Sequence, residues 1–277
     1  MWPLSLFRKT PSPVKGVFVF AIPLIGSHLT ENFDHICRLL GKTLQSCLRQ
    51  TDGNFRILIA CNEIPKADTV PQDARIEYLV LKRIEKSELV TSPRHDVSAK
   101  RRALMSAAVD IPVRHYFQLD ADDLVSNRLV ERVRSIGDEN GCVIGQGYLL
   151  DSRTNQLYLL PTSAFPEPTF DELCGSSIVV SLLPGEGEEI KSKNMDFLAK
   201  VWRLGHDSAR LLFQSEGRPA HVLDFPAAIY RPNHGGNLYM SLNRDERSSF
   251  IDYFTSGSPP VAGGLLESVR QEFFFFE

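Results

Sequence analysis

The first apolar stretch, Val14 to Ile22, runs unbroken until Pro23 stops it. A run this short, apolar on both faces, predicts a buried strand of a parallel sheet. From Thr30 the period changes. Phe33, Ile36, Cys37, Leu40, Leu44 and Cys47 recur at helical spacing, with Thr30 as the predicted N-cap and Gly41 as a weak point. Thr51-Asp52-Gly53-Asn54 turns the chain, and Phe55 to Cys61 is a second apolar run. Strand, helix and strand in this order predict a parallel crossover unit.

Arg75 to Leu81 reads as a third strand, and Lys82 to Asp96 as a charged loop. Ser98 to Val109 is an Ala-rich helix carrying Lys100, Arg101 and Arg102. Tyr116 to Leu119 is a strand, and Val125 to Ile136 a helix. Cys142 to Leu150 and Gln156 to Leu160 predict a hairpin around Asp151 to Asn155. Pro161 to Leu173, with three prolines, reads as a loop suited to gating. Ser177 to Leu182 is a short strand, and Glu188 to Leu204 a helix with Phe197, Leu198, Val201 and Trp202 on its apolar side. Ala220 to Leu223 and Ala227 to Tyr230 are short extended pieces before a polar loop, Arg231 to Asn237. Regular α/β alternation followed by antiparallel pieces predicts one mixed, mainly parallel α/β domain over residues 14–240. A flexible tail precedes it at 1–13, and a C-terminal extension follows at 241–277, packing on the domain or on a partner.

The strand Tyr116 to Leu119 ends in Asp120-Ala121-Asp122-Asp123, three carboxylates within four residues. Such crowding repels, and a divalent cation relieves it; hard Mg²⁺ or Mn²⁺ prefer oxygen ligands and keep positions open for substrate phosphates. The competing reading makes Asp122 or Asp123 the cap of the helix that follows. Open α/β sheets bind ligands at the carboxyl ends of their strands, where these acids fall. His234 stands in a loop with Asn233, Gly235, Gly236 and Asn237, an unlikely place for a core histidine.

Composition narrows the class. The chain has 277 residues, 43% hydrophobic and 23% charged, an ordinary globular balance. A net charge of −3 does not supply the basic field of a general nucleic-acid binder. Five scattered cysteines without a CxxC pair predict neither a zinc site nor a disulfide framework, and suit a reducing cytoplasm. No apolar run approaches the ~20 residues that span a bilayer. Met1 to Thr10 reads as a frayed terminus that could graze the inner face of a membrane. Phe273 to Phe276 must be covered: first by the domain itself, then by a second subunit in a homodimer, then by lipid.

At this point the chain resembles the GT-A class of nucleotide-sugar glycosyltransferases, and within it the bacterial rhamnosyltransferase group. Four features in order carry the resemblance, over roughly Val14 to Asn237. They are the L-x-S-x-x-x-Q-T stretch Leu44 to Thr51, the segment Ser98-Ala99-Lys100-Arg101-Arg102, the D-x-D of Asp120 and Asp122, and the late Tyr230 to Asn237. The resemblance implies a nucleotide diphosphate-sugar donor, a glycan or lipid-linked acceptor, and Mn²⁺ or Mg²⁺. Asp120 would sit near the donor ribose or the metal, Asp122 and Asp123 would ligate or orient the metal, and His234 would join them or bind diphosphate. Arg101 would neutralise the leaving diphosphate with its bidentate fork.

Two departures stand out. Where the family carries acids after the second strand, this chain has Cys61-Asn62-Glu63, leaving Asn62 to meet the nucleobase. The family's Glu-Asp pair that supplies the acceptor base is not plainly present. Asp196, in Asn194-Met195-Asp196-Phe197-Leu198, is the candidate base, with Glu188 and Glu189 as rivals that also suit a helix N-terminus. A phosphatase of the haloacid-dehalogenase type would place its D-x-D after the first strand. A nucleotidyltransferase would carry a Gly-rich, Lys-bearing loop where Pro23 to Thr30 stands. A non-catalytic sugar-nucleotide or glycan-binding module is the remaining alternative.

Overall fold

The computed structural model describes residues 16–81, 92–137, 140–162, 166–232, 234 and 246–275, with backbone only over 246–250. The apolar run forms β1 (Val17–Pro23), and the helical pattern forms α1 (Phe33–Leu48). Asn32, not Thr30, holds the N-cap position; Thr30 Oγ1 accepts the Asn32 N–H instead. β2 (Phe55–Cys61) and β3 (Ile76–Val80) follow, then α2 (Pro93–Val109). That helix begins five residues earlier than the Ala-rich pattern indicates. Ser92 caps it, accepting from His95 N, and Pro93 occupies the first turn, where its missing N–H costs nothing.

β4 (Val113–Gln118) delivers the acid turn. The next pattern divides. Leu124 and Val125 form a short strand β5 (Leu124–Val125), and helix α3 (Leu129–Ile136) starts only after it. The reading of Asp122 or Asp123 as helix cap therefore fails, because Arg128 is the N-cap. β6 (Gly141–Val143), β7 (Gly147–Asp151), β8 (Gln156–Leu160), a one-turn α4 (Phe170–Leu173), β9 (Ile178–Ser181), α5 (Glu188–Leu204) and α6 (Ala209–Ser215) come next. β10 (His221–Val222), β11 (Ala228–Tyr230), α7 (Glu246–Thr255) and α8 (Gly263–Phe273) complete the described strands and α-helices.

Seven strands form one sheet in the order β10-β6-β9-β4-β1-β2-β3. β3, β2, β1 and β4 run parallel, and β9 alone is antiparallel to its neighbours β4 and β6. A second sheet, β5-β11-β7-β8, carries the antiparallel late part. The architecture is the mixed, mainly parallel, helix-flanked α/β fold that the GT-A resemblance implies. Strand order reverses between β1 and β4, so a ligand crevice opens beyond their carboxyl ends.

One face of the main sheet buries Phe18, Phe20, Ile57 and Phe117 against α1 residues such as Leu40 and Leu44. The other buries Val19, Leu58 and Tyr116 with Leu104 of α2 and Leu198 of α5. Of the C-terminal phenylalanines, Phe273 to Phe275 find internal cover, and Phe276 lies outside the described residues. Phe273 and Phe275 are buried with Leu124, Tyr148 and Ile229 on the small sheet, and Arg49 stands 4.2 Å from the Phe274 ring. Among the described residues, no helix is long and apolar enough to cross a membrane.

Candidate active site

β1 and β4 stay joined to the brink of the acid turn, where Leu119 N donates to Ala21 O at 3.0 Å. Beyond it the three carboxylates diverge. Asp120 faces a cavity of about 620 Å³, lined also by Asp122, Arg101, Trp202, His206 and His234. That volume suits a small-molecule site. Arg101 Nη2 lies 3.4 Å from Asp120 Oδ1. Desolvation and the Asp122 charge raise the Asp120 pKa against the pull of Arg101. Of the basic segment, Arg101 lines the cavity, Arg102 is exposed, and Lys100 is buried in an ion pair with Asp96 at 2.6 Å.

Asp122 meets the late loop. His234 Nε2 lies 2.6 Å from Asp122 Oδ2, and His35 Nε2 lies 3.0 Å from the His234 carbonyl. Burial alone would raise the Asp122 pKa; the His234 hydrogen bond and the Arg231 charge outweigh it and hold the carboxyl below its ordinary value. The pair is two oxygen and nitrogen donors brought together from chain positions 112 residues apart.

Asp123 turns inward. Its Oδ2 accepts from Ser176 Oγ at 2.6 Å and its Oδ1 from Arg231 N at 3.0 Å. Burial and its two acidic neighbours push its pKa well above the carboxylate range. Expected either to ligate the metal or to orient its ligand, it is placed beneath the turn, where it braces it. Ser176 Oγ also accepts the Asp120 N–H at 2.9 Å, so one hydroxyl ties two acids to the segment before β9.

Arg231 is the member that sequence reasoning overlooked. Its guanidinium is buried under the turn, donating to the carbonyls of Asp122 and Leu39. The carboxylate crowding is thus partly relieved by the protein's own cation. Glu172, Trp202 and His206 also line the cavity unforeseen. Burial lowers the His206 pKa. Asp207 N donates to His206 Nδ1 at 3.1 Å, so the neutral ring carries its proton on Nε2. Of these, only Glu172 left a readable signal, the Thr169-x-x-Glu172 capping box.

Asp196, Glu188, Glu189 and Asn62, like Asp123, are not part of the cavity lining. Asp196 is exposed on α5, whose buried face is Asn194, Phe197, Leu198 and Val201. Helical geometry turns 196 to solvent when 194, 197, 198 and 201 face the core. Glu188 and Glu189, at the far end of α5, are exposed as well. Asn62 lies behind Gly26: Nδ2 donates to Leu81 O at 3.1 Å, while Oδ1 is buried without a partner.

The donor set fits a divalent cation. Among the described residues no group of three or more His, Cys, Asp or Glu is arranged to hold one. Mg²⁺ and Mn²⁺ sites of the substrate-phosphate type need no such cage, only one or two protein ligands. Asp122 and His234, which adjoin with side chains 16% and 5% exposed, are the residues that would supply them.

No protein-family model and no curated protein matches the chain. Among solved structures it is similar to TarS of S. aureus, with 10% identity, a TM-score of 0.44, and coverage of 78% of this chain and 36% of that one. A structure of TarS 1-349 aligns at 9% identity and a TM-score of 0.42, covering 78% of this chain and 60% of that one. The chain therefore spans less than two thirds of the length of the structures it matches.

Proposed function

We propose that the chain is a metal-dependent glycosyltransferase that takes a nucleotide diphosphate-sugar and transfers the sugar to a hydroxyl of a glycan or lipid-linked acceptor, with inversion. Rhamnose as the sugar rests on the family resemblance alone. The observation that carries the reading is the acid turn at the β4 carboxyl end, with His234 beside Asp122 in the wall of the cavity. Asp122 and His234 would hold Mn²⁺ or Mg²⁺, which when bound neutralises charge on a leaving diphosphate. Arg101 adds a second cation at the same side, preorganised by Asp120 and by the Trp202 ring 5.4 Å away.

Calorimetric titration of UDP, GDP and dTDP, with and without Mn²⁺, tests the reading. At least one nucleotide should bind only with Mn²⁺, and Asp122→Asn or His234→Ala should weaken it more than about tenfold, since even outer-shell changes cost that much. Metal-independent binding, unchanged in both variants, removes the metal from the site.

One observation favours a second reading, a sugar-nucleotide-binding module without transfer. Asp196, the expected base, does not line the cavity. Release of nucleoside diphosphate from a bound donor separates the two readings.

A further inference from the structure

We propose that Glu172 accepts the proton of the acceptor hydroxyl, in a subsite built by α4, Trp202 and His206. The assignment rests on the glycosyltransferase reading and supplies the base that Asp196 does not.

Three carboxylates line the cavity: Asp120, Asp122 and Glu172. Asp120 pairs with Arg101 and Asp122 with His234. Glu172 is the lining carboxylate without an ion pair among the described residues. Its Oε2 accepts from Thr169 N at 2.6 Å and Thr169 Oγ1 at 3.0 Å, leaving Oε1 for a ligand.

The helix that presents it is held far more firmly than one turn requires. Phe170 is fully buried, and a Cβ at Gly147 would come within 2.4 Å of its ring, so only glycine lets β7 approach. Asp171 is buried and takes a two-pronged ion pair from Arg210, at 2.6 and 2.5 Å. Just beyond α4, Cys174 and Ser176 contact Asp123, and Ser176 binds Asp120 N. Glu172 thus sits between anchored neighbours, on the same stretch that fixes the acid turn. A group that must meet a reacting hydroxyl needs such placement.

Its surroundings suit a sugar acceptor. Trp202 offers its ring at the cavity wall, with its indole N–H buried behind it without a partner. His206 offers an Nε2–H donor from the 3-10 turn His206–Ser208 beside it. Aromatic face plus convergent polar donors is the chemistry that holds a polyhydroxylated ring.

In the step, the acceptor O–H proton passes to Glu172. The acceptor oxygen bonds to the anomeric carbon, the bond from that carbon to the phosphate oxygen breaks, and its electron pair leaves with the nucleoside diphosphate. Water can stand in as acceptor, which makes the step measurable without knowing the natural one.

The competing role for Glu172 is capping alone. Glu172→Gln tells the two apart, because glutamine completes a capping box but cannot take a proton. The full chain, wild type, Glu172→Gln and Asp196→Asn, is incubated with Mn²⁺ and a panel of UDP-, GDP- and dTDP-hexoses, and released nucleoside diphosphate is measured. Binding of the free nucleoside diphosphate is titrated in parallel. The expected result is a fall in turnover of about 10²- to 10⁴-fold in Glu172→Gln, with nucleotide affinity unchanged. Turnover within a few fold of wild type, or loss confined to Asp196→Asn, overturns the assignment while leaving the glycosyltransferase reading intact. Weakened nucleotide binding in Glu172→Gln makes its role structural and overturns it too. A wild type that binds but releases nothing from any donor sinks transfer itself, and this assignment with it.

Discussion

Arg231 shows what a single side chain contributes to the acid turn. Three carboxylates in four residues would destabilise a fold that left them uncompensated, and the buried guanidinium beneath them supplies part of the compensation. Burial lowers its own pKa, against the pull of Asp122 and Asp123. Removing one partner of such a buried set leaves charge without a counter-charge, at about 3 kcal/mol or more. Arg231→Leu should therefore lower the urea midpoint well beyond the effect of a surface substitution. Arg231→Lys, which keeps charge but loses the fork that reaches two carbonyls, should fall between. Equal midpoints for wild type and Arg231→Leu would mean that the acids are carried by something else. The sequence displayed Arg231 plainly, but its place depends on β11 returning beside β5, which no local pattern states.

At the scale of elements, α1 is the part on which the acid turn leans. The polar residues of its L-x-S-x-x-x-Q-T stretch act as stitches: Ser46 Oγ accepts from Val125 N at 3.2 Å, and Gln50 bonds both Ser126 O and Val130 N. Thr43 Oγ1 donates to Ala121 O at 3.0 Å, inside the turn itself. Gly41, a weak point by propensity, is required by packing, since a Cβ there would stand 2.3 Å from Thr69 O. Gly41→Ala should gain up to about 1 kcal/mol of helix propensity and lose about 1–3 kcal/mol to overpacking. The expected outcome is net destabilisation by thermal melting, and a higher Tm would show that the Thr69 loop yields easily. β1, β2 and β9 of the main sheet were legible because each is a bounded, mostly apolar run. The start of α2 was legible too, in Ser92-Pro93, but charge before it masked the cap. The start of α3 was not, because Leu124 and Val125 fit a helical period yet pair with Ala228 and Ile229 about a hundred positions later. For the same reason the acids and His234 could be singled out in sequence, whereas Glu172 and His206 come to the cavity only through the packing of α4 on the 3-10 turn.

At the scale of the whole molecule, the main sheet joins its parallel strands β3-β2-β1-β4 to the single antiparallel strand β9, and that seam carries a buried histidine. His115 Nδ1 lies 3.1 Å from Ser181 Oγ across that seam, and Nε2 has no partner. Burial, with the charges of Arg114 and Arg134, drives its pKa down to about 3. An unfolded histidine titrates near ~6.5. Between these values the unfolded chain binds a proton that the native seam refuses, so stability rises with pH across the window and is lost as pH falls through it. The slope from this one group is about 1.4 kcal/mol per pH unit. His206 and His35 are lowered in the same direction, whereas raised Asp120 and Asp123 oppose it, so the total curve mixes several groups. A difference measurement isolates the seam. His115→Asn keeps a polar group for Ser181 but does not titrate. It should be less stable near neutrality, where wild type keeps its ring packed beside Phe18. As pH falls from about 6 to about 4, the gap between wild type and variant should close by roughly 1.4 kcal/mol per unit, read from denaturant unfolding at each pH. Parallel curves would show that His115 is protonated or hydrated in the native state, and that the seam is wetter than its burial implies.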